Sequence, residues 1–232
     1  MPYSYSSLKT YKTCPLKYRH VYILKDVKDT TSFEADYGSR AHKRLEEYVR
    51  KVPEDQLSKP VVRLEDLAFC TAVADRVMRK ADQVAAELRT GVTESMRATG
   101  FFSNNVWLRG VIDLLAIRGE GAWIGDWKFG KRRPDMQQLD MFALHTFVNF
   151  PTVQKITASF VWAHDKAFDT KTFVRDDVPY ILDAIKQEVE KVETSVKHDN
   201  WPVQPSALCG WCPCTKAQCI YGQPVKTGGE EE

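Results

Sequence analysis

Apolar and polar residues change their period several times along the chain, and each change marks an element. Residues 4–24 (SYSSLKTYKTCPLKYRHVYIL) read as a short helix, a Cys-Pro break and an aromatic-rich continuation, with Ser4 or Ser6 suited to the N-cap. A second helix is expected over about Tyr37 to Val49. Beyond a linker from Pro53 to Pro60, the residues Leu64, Leu67, Thr71, Ala74, Met78, Ala81, Ala85 and Leu88 form one stripe. That spacing predicts a long amphipathic helix over about Leu64 to Leu88. Three strands follow at about 92–102, 106–117 and 122–129, the last two joined by the turn RGEG (Arg118 to Gly121). A helix over Asp135 to Phe150, a strand over Lys155 to Ala163 and a helix over Pro179 to Val196 complete the series, with no internal repeat. Helices first, then a hairpin, then alternating elements predict an α/β fold with a mixed central sheet flanked by helices.

At 232 residues the chain can fill one core. The expectation is a single domain over 1–222, with a helical part to about 90, a sheet core over 91–165 and a C-terminal helix with a cysteine element over 179–222. The tail, 223–232, ends in GGEEE and is expected to be disordered. A net charge of +2 sets up no overall field for a polyanion, so any nucleic-acid contact must come from local patches. The start lacks the apolar run of a signal peptide, and no stretch reaches the ~18 apolar residues of a membrane span, which points to the cytoplasm and no membrane. Thiols stay reduced there, so the six cysteines read as ligands or free thiols.

The chemistry concentrates in GVIDLL (Gly110 to Leu115) and IGDWK (Ile124 to Lys128). Residues two apart on a strand share a face, so Asp126 and Lys128 should project together, and a hairpin would bring Asp113 close. Two carboxylates beside a lysine can hold a divalent metal and place a cation next to a phosphate, which suggests phosphodiester cleavage. The plainer alternative is a surface hairpin with ordinary charges, but unpaired carboxylates among apolar strand residues are costly to bury. His42 shares a helix face with Glu46 and could supply an imidazole ligand, although a lone helical histidine is more often merely exposed. Gln138 shares a face with Phe142 and would need a hydrogen-bonding partner if buried. Lys131, Arg132 and Arg133 in GKRRPD could meet phosphates, and Tyr18, Arg19 and Trp211 could stack on unpaired bases. Cys209 and Cys212 stand at CxxC spacing with Cys214 and Cys219 nearby, a pattern that binds zinc or an iron–sulfur cluster. Zinc could take those four; the other choice takes three of them with Cys14. Cys70 reads as a core residue of its helix.

Taken in order, these motifs resemble the PD-(D/E)XK nuclease superfamily, and within it the RecB-like exonucleases, which include the CRISPR-associated iron–sulfur exonuclease and phage relatives. The Cys-Pro segment, GSRAHKRLEEY, GVID, GDWK, QLDMF and the cysteine group match from residue 4 to residue 219. The resemblance implies a restriction-endonuclease-like core. It implies that His42, Asp113 and Asp126 bind Mg²⁺ or Mn²⁺ with the Trp127 carbonyl, that Lys128 acts on the attacking water or the scissile phosphate, and that Gln138 supports the site. It also implies a 4Fe–4S cluster on Cys14, Cys209, Cys212 and Cys219. Glu94 matches an acidic family position loosely. Two departures stand out: Phe142 replaces a frequent tyrosine, and Cys212 to Cys219 is one residue longer than the commoner spacing, with Cys214 surplus and zinc as the alternative. The implied activity is a DNA exonuclease acting on single-stranded ends. The same motifs also suit an endonuclease, a homo-oligomer or a subunit of a recombination or CRISPR-adaptation complex. The rival from another class is a non-catalytic DNA-binding adaptor.

Overall fold

The computed structural model describes residues 2–28, 33–58 and 63–224. Its helices are α1 (Tyr5–Thr13), α2 (Pro15–Tyr18), α3 (Phe33–Val49), α4 (Leu64–Met78), α5 (Met136–Asn149) and α6 (Val178–His198). Its strands are β1 (Tyr3–Ser4), β2 (Gln83–Val92), β3 (Ala98–Thr99), β4 (Leu108–Arg118), β5 (Gly121–Lys128), β6 (Lys155–Trp162) and β7 (Ala167–Val174). They form one mixed sheet in the order β3-β2-β4-β5-β6-β7, with β1 lying parallel to β4. The β5–β6 pair is also parallel, and the others are antiparallel. Parallel neighbours need a crossover, which α5 provides. The expected α/β architecture with a mixed central sheet is therefore what forms. None of the helices is long and apolar enough to cross a membrane among the described residues.

The chain divides into two compact units, the first Met1–Tyr5 with Thr31–Ile185 and the second Ser6–Thr30 with Lys186–Glu232. In the first, Leu45 of α3, Cys70 and Ala74 of α4, Leu114, Trp127 and Val161 from the sheet, and Ala163 just past β6 form one buried cluster. Burial pushes the Cys70 thiol up to about 12, in keeping with an inert core residue. Helix α5 has apolar residues on nearly every side and buries Leu139, Met141, Phe142, Ala143, Leu144 and Phe147. It also buries His145, whose Nδ1 lies 3.0 Å from Thr90 Oγ1; that hydroxyl donates to the Gly110 carbonyl at 3.2 Å, so it accepts from the imidazole. His145 Nε2 is buried with no partner, and a Cβ at Gly110 would meet the ring at 2.9–3.1 Å, so only glycine fits beneath it. Burial pushes the His145 pKa down to about 4.

Two readings of the sequence need correction. Helix α4 ends at Met78, and the residues from Gln83 onward, read as its last turns, form β2 against β4 from Gln83↔Ile117 to Val92↔Leu108. The strand expected at 92–102 is instead a turn followed by the two-residue β3. Strand β7 went unread because its exposed face is polar. The hairpin turn between Arg118 and Gly121 forms as expected, with Gly119 at φ +54°. Pro60 and the residues from 225 onward lie outside the described residues.

In the second unit, Tyr11 donates to the Lys191 carbonyl at 2.8 Å and lies 2.7 Å from Ser195 Oγ. Tyr18 is fully buried, stacked on Tyr22 at 4.9 Å and on Trp201 at 6.2 Å, and so is not free to stack on a base. Arg19 pairs with Asp199 at 3.0 Å, while Trp211 is exposed.

Candidate active site

Helix α3 buries Ala41 and Leu45 on one side and carries His42 next to them. His42 Nδ1 lies 3.2 Å from Asp113 Oδ2 and 3.7 Å from Glu87 Oε1. Glu46, four residues along the same helix from His42 as expected, is paired with Lys43 at 3.0 Å and Arg50 at 2.9 Å. Glu87 was not foreseen. The ladder pairs Ala86 with Leu114 and Leu88 with Ile112, leaving Glu87 and Asp113 opposite one another but unpaired. Glu87 adopts φ 48°, a left-handed conformation costly for a residue with a Cβ, and Arg50 donates to the adjacent Ala86 carbonyl at 3.1 Å. Glu94, the acid loosely matched from sequence, is an exposed turn residue after β2, seven positions beyond Glu87.

The β4–β5 ladder ends at Leu114↔Gly125. Past that point the Trp127 N–H donates to Asp113 Oδ2 at 2.8 Å, so the side chain takes the place of a strand partner. Asp126, on the neighbouring strand, is almost wholly buried. Its Oδ1 accepts from Gln138 Nε2 at 3.0 Å, and Gln138 Oε1 accepts from Lys128 Nζ at 3.1 Å, an arrangement that fits only one orientation of the amide. Lys128 Nζ lies 2.5 Å from the buried Asp126 Oδ2 as an ion pair. Gln138 is held in place because α5 starts beside it: Asp135 caps the helix through Gln137 N at 3.3 Å and accepts from Tyr5 Oη at 2.8 Å.

The electrostatics follow from crowding acids where water is scarce. Burial, then the charge of Asp113, pushes Asp126 up to about 6 against the pull of Lys128 and His42. Burial opposes a charge on His42, but Asp113 and Glu87 outweigh it and hold the imidazole protonated, up to about 10. Ligand atoms of His42, Glu87 and Asp113 lie within 4.8 Å of one another. Carboxylate oxygens from two strands with one imidazole are the donor set that suits a hard divalent cation, so the residues fit such an ion. In the basic loop after β5, Arg132 is taken up by Asp169 at 2.6 and 2.9 Å, whereas Lys131 and Arg133 are exposed. Phe142 is buried, a setting that suits a ring without a hydroxyl.

In the second unit, Cys14, Cys209, Cys212, Cys214 and Cys219 line one cavity of about 200 Å³. The Ser206 N–H donates to Cys209 Sγ at 3.4 Å. Cys214 is buried, and burial with the nearby Cys212, Cys219 and Cys14 pushes its thiol up to about 12.

A family model described as the PD-(D/E)XK nuclease superfamily matches residues 2–219. Among solved structures, a candidate exonuclease from Eubacterium rectale superposes with a TM-score of 0.54 at 11% identity, over 91% of this chain and 86% of its own. At that identity the likeness is one of fold. A protein named SSO0001 gives a TM-score of 0.38 at 11% identity, over 88% of this chain and 81% of its own. No curated protein matches the sequence.

Proposed function

The chain belongs to the PD-(D/E)XK nuclease superfamily, and from that premise we propose that it is a DNA exonuclease that degrades single-stranded ends with Mg²⁺ or Mn²⁺. Membership makes it a metal-dependent nuclease, a hydrolase of phosphodiester bonds. The observation that carries the reading is the gathering of His42, Glu87 and Asp113 within 4.8 Å, with Asp126 and Lys128 on the adjoining strand. His42, Glu87, Asp113, Asp126 and the Trp127 carbonyl would hold the cation. Such a cation supplies a more acidic water and neutralises charge on the phosphoryl oxygens.

The chain's own residues do the rest. The Trp127 N–H holds Asp113 Oδ2, the same oxygen that lies 3.2 Å from His42 Nδ1, and so fixes the carboxylate against the imidazole. Gln138 bonds Asp126 and Lys128 at once, which sets the distance between acid and ammonium. Lys128 orients the attacking water or meets the charge that builds on the scissile phosphate. Action on single-stranded ends is supported by the resemblance to RecB-like exonucleases, and action on ends also by the shared fold with a protein named as a candidate exonuclease. By the same resemblance, Cys14, Cys209, Cys212 and Cys219 would carry a 4Fe–4S cluster that ties the two segments of the second unit together, with zinc as the alternative.

Cleavage of end-labelled single-stranded and duplex DNA with Mg²⁺, Mn²⁺ or EDTA tests the reading. Single strands should shorten progressively from an end only with metal, and Asp126→Ala and Lys128→Ala should each slow this by about 100-fold or more. An inert wild type, or variants that cut equally well, would sink the nuclease reading. Internal cuts in circular DNA would reassign the enzyme as an endonuclease.

A further inference from the structure

The loop between β3 and β4 holds two phenylalanines out from the sheet in a way its own packing does not explain. Phe102 is 72% exposed, and its ring meets Phe101 at 4.9 Å and 75°. The loop is firmly built. The Ser103 N–H donates to the Gly100 carbonyl at 3.0 Å, Val106 N to the Ser103 carbonyl at 3.2 Å, Trp107 N to the Val92 carbonyl at 2.9 Å, and Thr99 Oγ1 to Asn105 Oδ1 at 2.9 Å. A rigid loop that keeps a phenyl ring in water forgoes the free energy of burying it. The ring is therefore displayed by an ordered backbone and not left out by a loose one.

Two guanidinium groups accompany it. Arg89 lies 6.0 Å from both ring centres, and Arg109 lies 5.3 Å from Phe101 and 5.8 Å from Phe102. Neither arginine has an ion-pair partner among the described residues, and Arg109 Nε is buried with no hydrogen-bond partner. Two cations beside an exposed aromatic face are the pieces that bind unpaired nucleic acid: rings stack on bases whatever their sequence, and guanidinium groups meet the phosphates. A duplex offers no exposed base face along its length, so this chemistry selects single strands. The patch also shares its strands with the acidic centre. Arg109 precedes Asp113 by four residues on β4, about 13 Å, and Arg89 follows Glu87 by two on β2, about 7 Å.

We propose that Phe102, backed by Phe101, Arg89 and Arg109, is a stacking platform that grips an unpaired base of single-stranded DNA a short distance from the cleavage centre. The site rests on the nuclease reading for its purpose but not for its test, since binding can be measured without catalysis. With the full chain in EDTA, fluorescence anisotropy of a labelled oligo(dT) reports affinity. Phe102→Ala should bind about 5- to 100-fold more weakly, while Phe102→Trp should retain binding and show quenching of its new indole on adding oligo(dT). Arg89→Ala should weaken binding and reduce the salt dependence by about one phosphate. Phe102 is exposed, so its truncation removes no core, and the Trp variant guards against a folding artefact.

Unchanged affinity in Phe102→Ala, or a wild type that does not bind oligo(dT), overturns the platform even if cleavage is robust. If Phe102→Ala loses affinity while the wild type cuts nothing, the platform stands and the nuclease reading falls. If Phe102→Ala binds DNA normally but loses self-association in sedimentation, the patch is a protein interface and the proposal is wrong.

Discussion

Glu87 holds a conformation that most residues avoid, with φ at 48° in the middle of a strand. For a residue with a Cβ this costs about 1–2 kcal/mol, and its carboxylate also adds to an already acidic group. Such strain persists where the surroundings enforce it, and here it brings a third acid to His42 and Asp113. Glu87→Gly should therefore stabilise the metal-free protein by about 1 kcal/mol and weaken Mn²⁺ binding by about 10-fold or more. Thermal melts in EDTA and calorimetric titration with Mn²⁺ check both halves. A lower melting point, or unchanged Mn²⁺ affinity, would show that the conformation has another cause.

Helix α5 and the strands beneath it carry the molecule's clearest pH dependence. His145 is fully buried and its pKa is pushed down to about 4, while an unfolded histidine titrates near 6.5. The unfolded chain thus takes up a proton first as pH falls. The neutral imidazole's contribution is whole above pH 6.5 and drains away down to about pH 4, amounting to about 3 kcal/mol. Urea melts between pH 7 and pH 4 should show this loss, and His145→Gln should flatten it; an unchanged slope would refute it.

The same elements show what was legible in the sequence. The β4–β5 hairpin and α5 could be read because they are apolar enough to declare their period. Strand β2 could not, since QVAAELRTGV continues the helical stripe from Leu64, and only pairing with β4 turns it into a strand. Glu87 was lost with that misreading, because a glutamate on a helix carries no hint of facing Asp113. Asp113, Asp126, Lys128, His42 and Gln138 were legible through their motifs, whereas the amide that joins Asp126 to Lys128 depends on the crossover helix.

At the scale of the molecule, the second unit is assembled from two stretches far apart in the chain, Ser6–Thr30 and Lys186–Glu232. Five cysteines from both stretches surround its cavity. A bridging cluster there would close a very long loop and stabilise the unit by several kcal/mol. Anaerobically purified protein should be brown with absorbance in the blue. Cys14→Ser should bleach it and lower the melting temperature by about 5–15 °C. A colourless wild type with stoichiometric zinc would replace iron by zinc. The split arrangement also imposes a timetable on biosynthesis. Cys14 leaves the ribosome 195 residues ahead of Cys209, which at about 5–20 residues per second is a delay of about 10–40 s. Throughout that interval the early thiol has no mates, so any cofactor insertion must wait until the second stretch has been made, and a product cut short before Cys209 would lack the later thiols.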